Sequence, residues 1–157
     1  MQAKKIILGS DHAGFELKEQ IKKFLIQSGI DVEDTGAHDF NPNDDYPKII
    51  LSAAKTVAED PANNKGIIFG ASGQGEVIVA NKVKGIRAAV YYGSNIEIVK
   101  LSRTHNNANV LSLGARFLNK KEAIEAVKIW LETPFSEEER HSRRIKQISK
   151  LEEKTCK

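Results

Sequence analysis

Cysteine is nearly absent from this chain. The single thiol, Cys156, sits in a charged tail, which excludes an internal disulfide and any cysteine-built metal centre. Long apolar runs are absent as well: no stretch approaches the roughly 20 residues a membrane-spanning helix needs. The segment MQAKKIILGSDH has neither the apolar stretch nor the small-residue cleavage site of a secretory signal. A cytoplasmic protein without a membrane partner is therefore expected. Net charge is also small, at +3. Basic residues gather in RHSRRIKQISK, but no aromatics interleave with them, so no nucleic-acid partner is expected. There are no internal repeats and no linker long enough to divide the 157 residues, a length that fits a single domain spanning 1–157 with one core.

What the chain does have is alternation. Short β-branched runs near Lys4–Leu8, Asp31–Thr35, Lys65–Phe69, Ile86–Tyr91 and Asn109–Leu113 alternate with amphipathic stretches near Phe15–Leu25, Tyr46–Ala58, Glu76–Lys82, Ser94–Thr104, Lys120–Glu132 and Glu137–Glu152. This is the pattern of repeated βα units. It predicts a five-stranded parallel sheet with helices on both faces, whose ligands bind beyond the carboxyl ends of the strands.

The third strand runs into a glycine-rich turn, GASGQGE. Gly70 and Gly75 have the spacing of a nucleoside-triphosphate loop, but Glu76 and Val77 stand where lysine and serine or threonine are required. The dinucleotide fingerprint fails too, because the glycines fall at 70, 73 and 75. What remains is a set of backbone N–H donors at a helix start with a carboxylate beside them. That pairing suits removal of a proton from carbon while the N–H groups stabilise the oxyanion that develops next to it. Glu76 is equally readable as a first-turn glutamate favoured by the helix dipole.

Three further groups stand out. Ser10-Asp11-His12 follows the first strand, where Asp11 reads either as a helix cap or as a ligand for sugar hydroxyls, with His12 suited to an anion. His105-Asn106-Asn107 lies at a helix-to-strand connection. Arg140 and Arg144, four apart on the last helix, share a face and could grip one phosphate; a solvated basic face is the simpler reading. No ligand set for a metal is visible.

Taken together, GSDHAGFELK (Gly9–Lys18), DYP (Asp45–Pro47), the G-x-S-G-x-G-E loop, ANKVKGIRAA (Ala80–Ala89), HNNANVLSLGAR (His105–Arg116) and RHSRRI (Arg140–Ile145) resemble the ribose-5-phosphate isomerase B family, within the wider group that includes galactose-6-phosphate isomerase subunits. The motifs span nearly the whole chain in order. The resemblance implies a Rossmann-like (flavodoxin-like) α/β/α sandwich, a homodimer or dimer of dimers with active sites shared between subunits, and a C-terminal helix extending to the partner. It also implies interconversion of D-ribose 5-phosphate and D-ribulose 5-phosphate through an enediolate, without metal or organic cofactor.

Residue by residue, the resemblance makes Glu76 the base. Many members instead carry a cysteine where this chain has Gly70. The backbone of Ala71, Ser72, Gly73, Gln74 and Gly75 becomes the oxyanion hole, and Ser72 a donor to the substrate oxygen or the carboxylate. His105 becomes the ring-opening acid/base, Asp11 a sugar ligand that assists it, and Asn106 a hydroxyl ligand. Arg140 and Arg144, supported by His12 and Arg116, become the phosphate site. The family commonly reads HND where this chain has Asn107. Two other readings fit the same residues: the same chemistry on a hexose 6-phosphate or rare sugar such as allose, and a non-catalytic sugar-phosphate-binding module.

Overall fold

The computed structural model describes residues 3–155; Cys156 lies outside them. Five strands, β1 (Lys5–Ser10), β2 (Val32–Asp34), β3 (Asn64–Gly70), β4 (Ala88–Tyr91) and β5 (Val110–Gly114), form one sheet in the order β2-β1-β3-β5-β4. All neighbours are parallel. The helices are α1 (Phe15–Gln27), α2 (Tyr46–Glu59), α3 (Gln74–Ala80), α4 (Glu97–Thr104), α5 (Lys120–Glu132) and α6 (Glu139–Thr155).

Side chains alternate across a strand, and here both faces are buried, as expected of a parallel sheet. Ile6, Leu8, Ile67, Phe69, Leu111 and Leu113 face one way, onto Leu17, Ile21 and Leu25 of α1 and Ala123, Ala126, Val127 and Trp130 of α5. Ile7, Ile68 and Val110 face the other way, onto Ile50, Ala53, Ala54 and Val57 of α2 and Ala80 of α3. The expected five-stranded parallel sheet with helices on both faces is thus present.

Boundaries differ where backbone geometry overrides composition. β1 and β3 run on to Ser10 and Gly70 because the ladder continues through Ser10↔Phe69 and Gly70↔Gly114, pairings that carry no side-chain signal. The last helix starts at Glu139 rather than Glu137 because Glu137 adopts a left-handed backbone (φ 57). Ser94, with φ 72, is excluded from α4 for the same reason, so that helix begins at Glu97 with the Glu97 N–H donating to Asn95 Oδ1.

Candidate active site

β1 and β3 are neighbours, so their exits stand side by side at the carboxyl end of the sheet, bringing Asp11 and His12 to the Gly70–Glu76 loop. Gly73 caps α3 with φ 76, a conformation that favours glycine. Its carbonyl accepts from the buried Ser112 hydroxyl of β5 at 2.8 Å. Two more bonds fasten the loop to the β5 exit: Ala115 N–H donates to the Gly70 carbonyl (2.8 Å) and Arg116 N–H to the Ala71 carbonyl (3.0 Å). Arg116 is thereby held at the same end, exposed.

The Glu76 side chain turns back into this cradle and is only 4% exposed. It lies so close to Gly70 that a methyl group there would fall 2.0 Å from the carboxyl carbon and Oε1 and 2.2 Å from Oε2. The carboxylate fills the volume a side chain at position 70 would need. Burial pushes the Glu76 pKa above the ordinary carboxylate value, Asp11 adds to that, and the Glu76 N–H opposes it. The Ser72 Oγ accepts from the Gln74 N–H at 3.3 Å. Among the described residues the N–H groups of Ala71, Ser72 and Gly73 find no protein acceptor, leaving them free to bind an anion.

Asp11 is buried and its Oδ1 accepts from the Gly14 N–H at 3.1 Å, ordering the turn into α1. The loop after β2 braces this turn: Ser10 N–H donates to the Gly36 carbonyl and Ala37 N–H to the Ser10 carbonyl, while the fully buried Lys18 reaches Asp34 and the Ala37 carbonyl.

Two contacts of the candidate site escape sequence reading. Asp44 Oδ1 accepts from the His12 N–H (3.0 Å) and lies 2.6 Å from its Nδ1, which turns the ring so that Nε2 is presented. The Tyr46 ring packs on Gly75; DYP marked the segment but not its contact. Asp11, His12 and Asp44 also offer ligand atoms within 4.8 Å of one another, a trio not visible in the linear sequence. Asp11 Oδ1 and Asp44 Oδ1 are engaged by the bonds named above. Asp44→Ala is expected to raise KM for a phosphorylated substrate about tenfold, with a smaller effect on kcat, because His12 loses the charged partner that orients it. Steady-state kinetics checks this, and an unchanged KM would remove the orienting role.

The remaining expected site residues lie elsewhere. In a parallel sheet a helix-to-strand connection returns to the amino end, so His105 and Asn106, which precede β5, sit at the opposite end from Glu76. At about 3.3 Å per residue, the five residues of β5 alone separate the two ends by about 15 Å. The connection type noted in the sequence was the signal for this.

At that far end the His105 ring stacks on His141, centroids 4.2 Å apart at 35°. His141 is buried, 3% exposed, and its Nδ1 lies 2.9 Å from the Ser136 hydroxyl. Ser136 N–H in turn donates to the Thr104 carbonyl. Burial lowers the His141 pKa, with His105, Arg140 and Arg144 acting the same way and Glu138 opposing. Arg140 donates from Nε to Glu138 at 2.9 Å, and both it and Arg144 are exposed. Asn107 adopts a left-handed backbone (φ 45), and its Oδ1 accepts from Arg103 at 2.9 Å. The expected site residues therefore fall into two groups: Asp11, His12, the Gly70–Glu76 cradle and Arg116 at one end, and His105, Asn106, Arg140 and Arg144 at the other.

Fold and cradle define a doubly wound α/β protein with a buried carboxylate seated against Gly70 at the carboxyl end of its sheet, in a loop whose Ala71, Ser72 and Gly73 amides have no protein acceptor among the described residues. The Ribose/Galactose Isomerase family model matches residues 6–148, and the chain belongs to that family. It is 43% identical over 148 residues to ribose-5-phosphate isomerase B of Mycolicibacterium paratuberculosis, an alignment covering 94% of this chain and 91% of the relative. Ribose-5-phosphate isomerase B from Mycoplasma genitalium, solved with bound ribulose-5-phosphate, superposes with a TM-score of 0.91 at 37% identity, covering 96% of this chain and 97% of that one. The Clostridium thermocellum ribose-5-phosphate isomerase B gives a TM-score of 0.89 at 41% identity, covering 96% and 98%.

Proposed function

We propose that this protein is an aldose–ketose isomerase that interconverts D-ribose 5-phosphate and D-ribulose 5-phosphate. The observation that carries this reading is the buried Glu76 carboxylate seated against Gly70 beside the unengaged amides of Ala71 to Gly73. In the open-chain aldose, Glu76 takes the proton from C2 and the C2–H electrons form the C1–C2 double bond of an enediolate. The amides stabilise the oxyanion as it develops. Glu76 returns the proton to C1, a hydroxyl proton moves from O2 to O1, and the ketose results.

Ser72 hydrogen-bonds the reacting oxygen, and Asp11 holds the sugar hydroxyls. His105 donates a proton to the ring oxygen as its bond to C1 breaks and the anomeric hydroxyl releases its proton to solvent, giving the open-chain aldehyde, with Asn106 beside it on the hydroxyls. Arg140 and Arg144, with His12 and Arg116, neutralise the phosphate. No metal or organic cofactor takes part in this scheme. Such a step serves pentose phosphate metabolism in the cytoplasm.

Ring opening and proton transfer act within one small sugar, yet the base and the ring-opening histidine stand at opposite ends of the sheet. The active site is therefore shared between two copies of the chain, as a homodimer or dimer of dimers, with α6 extending to the partner. Large apolar side chains open to solvent support association: Ile78 on α3 and Leu151 on α6 are each 59% exposed, and Ile98 and Leu101 on α4 are exposed too.

Complementation tests this arrangement. Glu76→Gln and His105→Ala are each expected to be nearly inactive. In a two-fold dimer of the mixed variants one site regains both residues and the other has neither, so a refolded equimolar mixture should recover about a quarter of wild-type activity. Failure to recover activity while mixed dimers form would place base and ring-opening acid in one chain and end the shared-site reading. A panel with allose 6-phosphate and galactose 6-phosphate checks the sugar; faster turnover of either would displace ribose 5-phosphate.

A further inference from the structure

Outside both groups of site residues, a cavity of about 230 Å³ at the amino end of the sheet is lined by Lys65, Arg87 and Arg103 together with Asn107 and Glu137. The three cations come from separate segments: Lys65 from the start of β3, Arg87 from just before β4, and Arg103 from the end of α4. Arg103 is 6% exposed. It and Lys65 both lie over the ring of Trp130, at 5.8 and 5.5 Å from its centroid, and Trp130 is the chain's one tryptophan.

Protein acceptors use part of this donor set. Arg103 donates to Thr133, Ala108 and the neutral side chain of Asn107, and Arg87 donates from Nε to the Asn106 and Asn107 carbonyls. A guanidinium has five N–H donors and an ammonium three. The second terminal nitrogen of Arg103, both terminal nitrogens of Arg87 and the whole Lys65 ammonium have no acceptor among the described residues. None of the three cations forms an ion pair there either. Glu137 is the acidic residue of the lining, at an exposed position. Gathering like charges in a partly desolvated pocket is unfavourable unless a counter-charge joins them.

We infer that this cavity is an oxyanion site, separate from the substrate's, and that it takes a phosphate group from inorganic phosphate or a small phosphate monoester. A tetrahedral dianion accepts from forked guanidinium donors and an ammonium at once. The electrostatics are in line with this: burial pushes Lys65 down to about 8 with Arg103 adding to it, Arg103 is lowered by burial and then by Arg87, and Arg87 is lowered by burial against the opposing charge of Glu152 on its other side. Because Arg87 also holds the Asn106 and Asn107 carbonyls, an anion bound there would tie down the turn that carries His105 and Asn106.

Trp130 reports the test. Inorganic phosphate and, separately, glycerol 3-phosphate are titrated into the protein at constant ionic strength against chloride, following tryptophan emission, with calorimetry alongside. A saturable emission change is expected, with calorimetry counting one anion per chain in the Arg140→Ala/Arg144→Ala variant, where the substrate's own phosphate site is disabled, and the probe with the lower midpoint identifies the source. Lys65→Gln, a conservative change at a half-buried position, should weaken the midpoint about tenfold. Arg140→Ala/Arg144→Ala should leave it unchanged, since those residues sit elsewhere. An emission change no larger than with chloride together with no calorimetric stoichiometry, an unaltered midpoint in Lys65→Gln, or loss of the signal in the double arginine variant would each overturn the site.

Discussion

Glu76→Gln is expected to lower kcat by about 10²–10⁴-fold and at the same time to raise the stability of the fold at neutral pH. Glutamine keeps the shape of the side chain but cannot accept the C2 proton. Affinity for the sugar phosphate should therefore survive while turnover falls. The gain in stability follows from the sign of the pKa shift. Burial, then Asp11, raises the folded value above the 4.5 of the free carboxyl group, so between the two values the native state keeps a proton the unfolded chain has released.

Stability must fall as pH rises through that window, and above it the whole cost of a buried charge is present. The amide removes it. Urea titrations at pH 7 should show a higher midpoint for the variant, and that advantage should vanish below pH 4.5. The same shift places the acid limb of the kcat/KM profile above the ordinary carboxylate range. Intact turnover, or a variant less stable than wild type at pH 7, would refute the assignment of Glu76 as a buried base.

Gly70→Ala is the second change with a large expected effect. Its methyl group would collide with the Glu76 carboxylate at 2.0 Å. Gly70 pairs with Gly114 in the sheet and has no left-handed φ, so the backbone itself accepts alanine. The obstructing atoms are the far end of a side chain, and rotation of the carboxylate out of its seat relieves the clash with little movement of the strand. Turnover should fall about a hundredfold or more, because displacing a reacting group by an ångström is enough for that, while the thermal midpoint should change little.

Combining Gly70→Ala with Glu76→Gln should cost no more activity than Glu76→Gln alone, since both changes remove the same positioned base. Full activity in Gly70→Ala would mean that the carboxylate works from some other position. A fully additive double variant would mean that Gly70 serves a purpose besides seating Glu76.

The cradle was readable from the linear sequence because its parts are contiguous: glycines, a short polar residue and a glutamate follow one strand, and their chemistry depends on each other. His12 was readable for the same reason, but its orientation was not, since Asp44 reaches it from 32 positions away. His141 sits inside a basic run whose chemistry is legible in its arginines. Only the packing of α6 against the end of α4 reveals that its ring is buried against His105. Asn107, noted as an amide where a carboxylate is common, acquires a role only once Arg103 is seen donating to it.

The sequence by itself determined the order of strands and helices, the two-sided burial of the sheet and the composition of the Gly70–Glu76 loop, because periodicity, turn residues and local donor sets act over a few neighbouring positions. Only the tertiary structure decided which loops share an end of the sheet, how deeply the Glu76 carboxylate is seated, and that Lys65, Arg87 and Arg103 converge on one cavity. Those outcomes come from the strand order and from packing between segments far apart in the chain, where an excluded volume or an unpaired charge exists only after the sheet has formed.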